Sequence, residues 1–400
     1  MKDRFSTTSQ LELTRRDLLK TAAVVGGGAA LGPVAGGVST ALAADVVRGY
    51  GVTTAQLKDW SIMEKAIGVT MEFTGTDNSV GVFMRDVAGS QLGDKVDIFI
   101  FESGTEDILG PQGMYLEIDP AHPELTLWER SPDEWKHSEV VMGKDGKQYG
   151  VPVIGNADSF GYFPAEIGAN PDGTDDISWA TFFESDKTRG KTAYDQTWTY
   201  SLGPAALFLK TTGKVNVADV ADMTGDEAKQ VVDYLIERKK AGQFRTLHSA
   251  FEEQVQLLTN KEIVIINCWE PATREANLKL GPGSVRYAYT VEGYFKWGHG
   301  AYVAVQAKDR GNLDAIYKVL NYFLGGEYRA LQARDRGYAG PNMDLGVEYA
   351  TNAGWSAEEI DALKATDEKV ARKFTKPYVS TTTPQNAEAM ENEWQRFLNA

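Results

Sequence analysis

Between residues 46 and 101 the chain repeats one pattern: a short apolar run, a segment of helical period, then another apolar run. Residues 46–52 and the alternating Val69, Met71 and Phe73 have the length and side chains of strands. Leu57, Trp60, Met63 and Ile67 share one helical face, with Thr53 or Thr54 placed to cap it and Gly68 to end it. A second helix is expected over 80–92 and a third strand over 96–101. This βαβαβ order implies a parallel sheet flanked by helices. Ligands of such sheets bind at the carboxyl ends of the strands. Attention therefore falls on loops 49–53 and 102–106, and within them on Tyr50, Glu102 and Ser103.

Residues 292–342 repeat the strand and helix signals late in the chain. Gly298, His299 and Gly300 follow Trp297 and predict a tight turn where the backbone can approach something closely. A buried strand is expected over 301–305. Leu313, Ile316, Val319, Leu320, Phe323 and Leu324 then line one helical face. Gly337 and Pro341 close the next helix. This unit is expected to complete a lobe begun upstream, with Trp297 and His299 facing a ligand cleft.

Between these stretches, residues 149–163 are glycine-rich, apolar and broken by Pro152, as suits a ribbon passing between two lobes. Pro204 is expected to start a helix. Thr224 with Glu227, and Ser249 with Glu252, have capping-box spacing. A strand over 263–266 leads into Trp269, Glu270 and Pro271, the proline suited to a first helical turn. Ser356 with Glu359 caps a long amphipathic helix, and Pro384 begins the last one, with Met390, Trp394 and Phe397 inward.

The N-terminus has a separate logic. Thr14-Arg15-Arg16-Asp17-Leu18-Leu19-Lys20 resembles a twin-arginine export signal, followed by a mildly apolar run rich in alanine and glycine. Ala41-Leu42-Ala43 fits the small-x-small cleavage rule, so residues 1–43 are expected to be removed and the mature chain to start near Ala44. Cys268 is the one cysteine, which excludes an internal disulfide and, lying far from the cleavage point, a lipid anchor. A free periplasmic protein, monomeric and without membrane insertion, is the expectation. Removing the signal takes away five basic and three acidic residues, which changes a net charge of −15 to −17. An acidic chain without a basic run argues against nucleic acid and anionic membranes.

The order of motifs along the mature chain resembles the periplasmic solute-binding proteins of ABC importers, specifically the spermidine/putrescine-binding type. The resemblance is carried by Asp97-Ile98-Phe99-Ile100, Gly113-Met114-Tyr115-Leu116, Tyr149-Gly150-Val151-Pro152, and Trp179 with Gly190-Lys191. Val291-Glu292-Gly293, Trp297, Phe323-Leu324 and Gly337-Tyr338 with Pro341-Asn342 continue it. It implies an α/β, two-lobed periplasmic-binding-protein fold of type II, with a ligand cleft between the lobes and two crossover segments. By this analogy lobe one takes 44–157 plus 297–345, and lobe two takes 158–296 plus 346–400. The implied partners are a polyamine or related small organic cation and the permease subunits of the importer.

Such sites combine aromatic walls with carboxylates, because cation–π contacts and charge-assisted hydrogen bonds together hold an ammonium group. Trp297 matches the wall tryptophan. His299 stands where the family places an acid, and Thr197 and Tyr200 stand where it places paired acids. The candidate ligand residues are therefore Trp297, His299, Trp269, Glu270, Trp198, Tyr200, Asp158, Tyr50, Glu102 and Ser103, with Asp195 as a further anion. The same fold could instead take a quaternary amine, an amino-acid derivative, a sugar or ferric iron. An exported enzyme is the remote alternative. The sequence has no His-Glu-x-x-His, Gly-x-Ser-x-Gly, phosphate loop or cysteine cluster, and its four histidines lack metal-ligand spacing. No catalytic residue, metal or cofactor is assigned.

Overall fold

The computed structural model describes residues 45–400 apart from 77–79, 90–91, 376–377 and 381–383. The expected signal and its cleavage site lie outside the described residues. Among those described, no helix is long and apolar enough to cross a membrane.

The first strands follow the predicted order: β1 (Asp45–Val52), β2 (Val69–Thr76) and β3 (Ile98–Glu102). Then come β4 (Tyr115–Leu116), β5 (Gly150–Tyr162), β6 (Asp176–Ile177), β7 (Thr192–Asp195), β8 (Phe244–His248) and β9 (Ile265–Cys268). The late strands are β10 (Arg286–Tyr287), β11 (Tyr289–Thr290), β12 (Tyr294–Ala304) and β13 (Tyr378–Ser380). The main sheet runs β2-β1-β3-β12-β5-β9-β7-β8. At one end β1 is parallel to β2 and β3, and at the other β7 is parallel to β8 and β9. The long strands β5 and β12 run antiparallel between these wings.

Each wing has its own apolar core. Val47, Ile98, Phe99, Leu320 and Phe323 belong to the first, and Phe160, Trp179, Phe183, Val231 and Trp394 to the second. The predicted stripe of the Leu313–Leu324 helix supplies much of the first core. Each fully buried leucine or phenylalanine there stabilises the fold by about 2 kcal/mol before chain entropy is counted.

Several local expectations are corrected. The Gly298-His299-Gly300 segment is not a turn but the middle of β12, with a bulge between His299 and Gly300. A Cβ on Gly298 would lie 2.6 Å from the Val140 side chain, and one on Gly300 3.0 Å from the Val140 carbonyl oxygen. These glycines serve a close approach rather than a bend. Pro204 does not start a helix; it lies within the Trp198–Thr211 helix, which begins where Asp195 Oδ1 accepts from the Thr197 N–H at 2.7 Å. The second capping box is shifted by one residue. Glu253, not Glu252, accepts from the Ser249 and Ala250 N–H groups. Thr54 caps no helix, and the Ser61–Ile67 helix begins later than expected.

The C-terminal stretch divides its contacts. The Ala387–Asn399 helix packs against the Gly225–Lys240 helix of the second wing. The Ala357–Thr375 helix instead packs against the Met343–Asn352 and Gly326–Arg336 helices, around Ala330, Ala333 and Leu363. β13 then lies parallel to the start of β12, so a third strand joins the two crossing ones.

Candidate functional site

Along the crossover, Phe295 pairs with Asp158, Trp297 with Asn156 and His299 with Ile154. Paired residues of an antiparallel ladder share a face, and so do alternate residues along a strand. Asp158, Asn156, Trp297 and His299 therefore form one row. Strand alternation places them, and the two wings flank them.

Asp158 sits deep in the protein with only part of its surface open. Burial pushes its carboxyl up to about 7, opposed by Trp297 and by the ammonium of Lys373, and reinforced by Glu270 and Glu102. The Trp297 indole N–H faces this carboxyl without completing a hydrogen bond. Tyr287 brings its hydroxyl to 3.5 Å from Asp158 Oδ1. Tyr200 and Tyr338 are close enough for the Asp158 charge to add to the upward shift that burial gives their hydroxyls. Tyr338 meets Trp297 edge to face at 5.3 Å, and Trp269 meets Tyr200 in the same way at 6.1 Å. The result is one carboxyl among aromatic rings.

His299 is 1% exposed. Its Nδ1 shares a hydrogen bond with Thr54 Oγ1 at 3.2 Å, which is what Thr54 does instead of capping a helix. Its Nε2 lies 4.0 Å from Glu102 Oε1, on the strand residue paired with it. The Ser103 N–H donates to the Gly298 carbonyl at 3.1 Å, tying the end of β3 to the same strand. The Trp297 indole N–H, the Tyr200 hydroxyl and His299 Nε2 are all buried without a hydrogen-bond partner. Orphaned polar atoms are costly, and these three make the row a candidate place for a polar ligand.

Glu270 is differently engaged. Its carboxylate accepts from Lys369 at 2.5 Å, Lys373 at 3.4 Å and Asn156 at 3.3 Å. Burial alone would raise this carboxyl, but the two lysines outweigh it and hold it at about 2. Tyr50 stacks on Phe83 at 6.2 Å within the first wing, and Trp198 packs against the second core. Neither contact brings them to Asp158. Asp195 is buried beside His248, 3.7 Å from its Nδ1, and starts a helix. Of the residues singled out from sequence, the structure thus gathers Asp158, Trp297, His299, Glu102, Ser103, Tyr200 and Trp269. Sequence reasoning does not reach Tyr338 or Lys373 as neighbours of Asp158. Tyr338 does lie in a motif that carries the family resemblance, whereas Lys373 looks like any lysine in the last turn of an amphipathic helix.

Residues 61–357 match the family described as bacterial extracellular solute-binding protein. The chain belongs to this family. Residues 12–32 match the signal sequence of the twin-arginine translocation pathway, so this solute-binding protein is exported by that route to the periplasm. A search of curated proteins finds no match. Among solved structures, it is similar to a putative spermidine/putrescine ABC transporter protein from Listeria monocytogenes, at 15% identity and a TM-score of 0.65, covering 88% of this chain and 99% of that one. It is also similar to the spermidine/putrescine substrate-binding protein PotD of Streptococcus pneumoniae, at 13% identity and a TM-score of 0.66, covering 89% and 99%. A third is the PBP MotA of A. tumefaciens B6 in complex with glucopine, at 17% identity and a TM-score of 0.56, covering 88% and 99%. At these identities the likeness is one of fold, and that fold has two lobes.

Proposed function

We propose that this solute-binding protein captures a small organic cation, a polyamine or a related amine, at Asp158 and delivers it to the permease of an ABC importer. The observation that carries this reading is the buried Asp158 carboxyl, set among Trp297, Tyr200, Tyr287 and Tyr338 without a full-strength donor of its own. A carboxylate in that setting favours a cation, and the ring faces supply cation–π attraction and apolar cover for methylenes. His299 and Glu102 extend the row and would meet the far end of the solute. A neutral sugar would leave the carboxylate uncompensated.

In this reading the lobes comprise 44–157 with 297–345 and 158–296 with the C-terminal segment, the latter carrying the Ala357–Thr375 helix back against lobe one. The solute binds the closed arrangement of the lobes better than the open one, and the closed form docks on the permease. No catalytic step is part of the function. A thermal-shift panel of spermidine, putrescine, choline, amino acids and sugars tests the proposal. A raised melting temperature with an amine supports it. A rise with a neutral sugar alone overturns it.

A further inference from the structure

Lys373 is placed as a bound ligand would be. Its side chain is 1% exposed, and its Nζ donates to the Ala157 carbonyl at 2.8 Å, Asn156 Oδ1 at 3.0 Å and Glu270 Oε2 at 3.4 Å. It lies 4.8 Å from the ring centroid of Tyr287 and 6.0 Å from that of Tyr294. Carboxylate, carbonyl, amide oxygen and aromatic faces are the groups that recognise an organic ammonium. Here the chain itself supplies the ammonium.

The lysine arrives on the Ala357–Thr375 helix, which is packed on the Gly326–Arg336 and Met343–Asn352 helices, while Glu270 opens the Glu270–Leu280 helix beyond β9. Lys369 adds a second ammonium to the same carboxylate. Burial lowers the pKa of Lys373, opposed by Glu270 and Asp158. Its three acceptors nevertheless engage all three N–H groups of an ammonium, so two lysines on one glutamate leave this cluster with a surplus positive charge. Among the residues lining the cavity behind Tyr287, of about 330 Å³, Arg274, Arg286 and Arg372 join the two lysines against Asp172 and Glu270, with Asp176 beyond the lining paired to Arg372 at 2.9 Å. Tyr287 is the partition. One face of its ring meets Lys373, and its hydroxyl reaches Asp158.

We infer that Lys373 is a specificity-determining residue of the cleft: it fills Glu270 as a ligand's ammonium would, so a solute meets only Asp158 at this end and binds there through a single cationic head. The inference rests on the cation reading above and narrows it. A second ammonium placed towards Glu270 would find its carboxylate occupied and two like charges beside it, whereas a compact monocation avoids both.

The test is calorimetric titration of the full mature chain with choline and with putrescine at pH 8, for wild type, Lys373→Met and Lys373→Gln. The wild type is expected to favour choline. In both variants the affinity ratio should move towards putrescine by roughly tenfold, the effect of removing one nearby like charge. Lys369 stays on Glu270, so that carboxylate is not left bare, and glutamine retains hydrogen-bonding groups for Asn156 and Ala157. A lysine with a merely structural role predicts no change of ratio in a folded variant. An unchanged ratio, or one moving towards choline, overturns the inference. A wild type that takes up neither cation overturns the cation reading itself, and the inference falls with it.

Discussion

The hydroxyl of Tyr287 lies 3.0 Å from the Cys268 carbonyl oxygen and 3.5 Å from Asp158 Oδ1, and it has one hydrogen to donate. The carbonyl is the nearer acceptor, so Asp158 is left with only a weak contact from that hydroxyl. A buried carboxylate in that position is costly unless protonated or met by a cation. On the proposed reading, that cost is what a bound cation relieves in the aromatic setting of Asp158.

The first consequence is a pH dependence. The folded-state carboxyl of Asp158 titrates at about 7, above its ordinary value near 3.9, so the native state holds this proton more tightly than the unfolded chain does. Its contribution to stability is therefore fully present below about 4 and is lost as pH rises towards 7. Glu270, held at about 2, has the opposite sign: its contribution is present above its unfolded value and disappears as pH falls towards 2. Cation binding needs ionised Asp158. Affinity should fall by up to roughly tenfold per pH unit below 7, measured by titrating one amine from pH 8 to 5.5. A flat profile would count against Asp158.

Trp297 forms the wall between Asp158 and His299, with rings of Tyr338 and His299 5.3 and 5.0 Å from its own. Trp297→Ala should weaken binding of an organic cation by about 2- to 30-fold, the span of one cation–π contact. The fold should survive, because the ring is only partly buried. Unchanged affinity in a folded variant would remove Trp297 from the site.

Gly298 tests the fold rather than the ligand. A methyl group there would stand 2.6 Å from the Val140 side chain, so Gly298→Ala should destabilise by about 1–3 kcal/mol through overpacking. A lowered urea midpoint with an unchanged slope is the expected reading. An unshifted midpoint would show that β12 does not need the close approach.

The parts of this molecule that sequence makes visible are those set by neighbours along the chain. The alternation of Val69, Met71 and Phe73 and the stripe from Leu313 to Leu324 depend on local period, and both elements form where expected. Gly298 and Gly300 suggest a turn because glycine signals bending locally. Their use, room for Val140, comes from a segment more than a hundred residues away. The site is legible in the same uneven way. Sequence singles out Trp297 beside an expected turn and Asp158 in an expected ribbon; only the pairing of β5 with β12 shows that both lie in strands and share one face. Lys373 reaches Ala157 across 216 residues of chain, and an amphipathic helix with a basic last turn gives no hint of which lysine is buried.

The proposed function makes Asp158 the group that holds the charge of an organic cation. Calorimetry with choline and putrescine at pH 8, on wild type and Asp158→Asn side by side, tests it most directly. Truncating one partner of a buried charge pair costs about 2–5 kcal/mol, so the variant should bind at least roughly 30-fold more weakly while remaining folded. Equal affinity in the two proteins, or uptake of a neutral sugar in preference to either amine, would contradict the account.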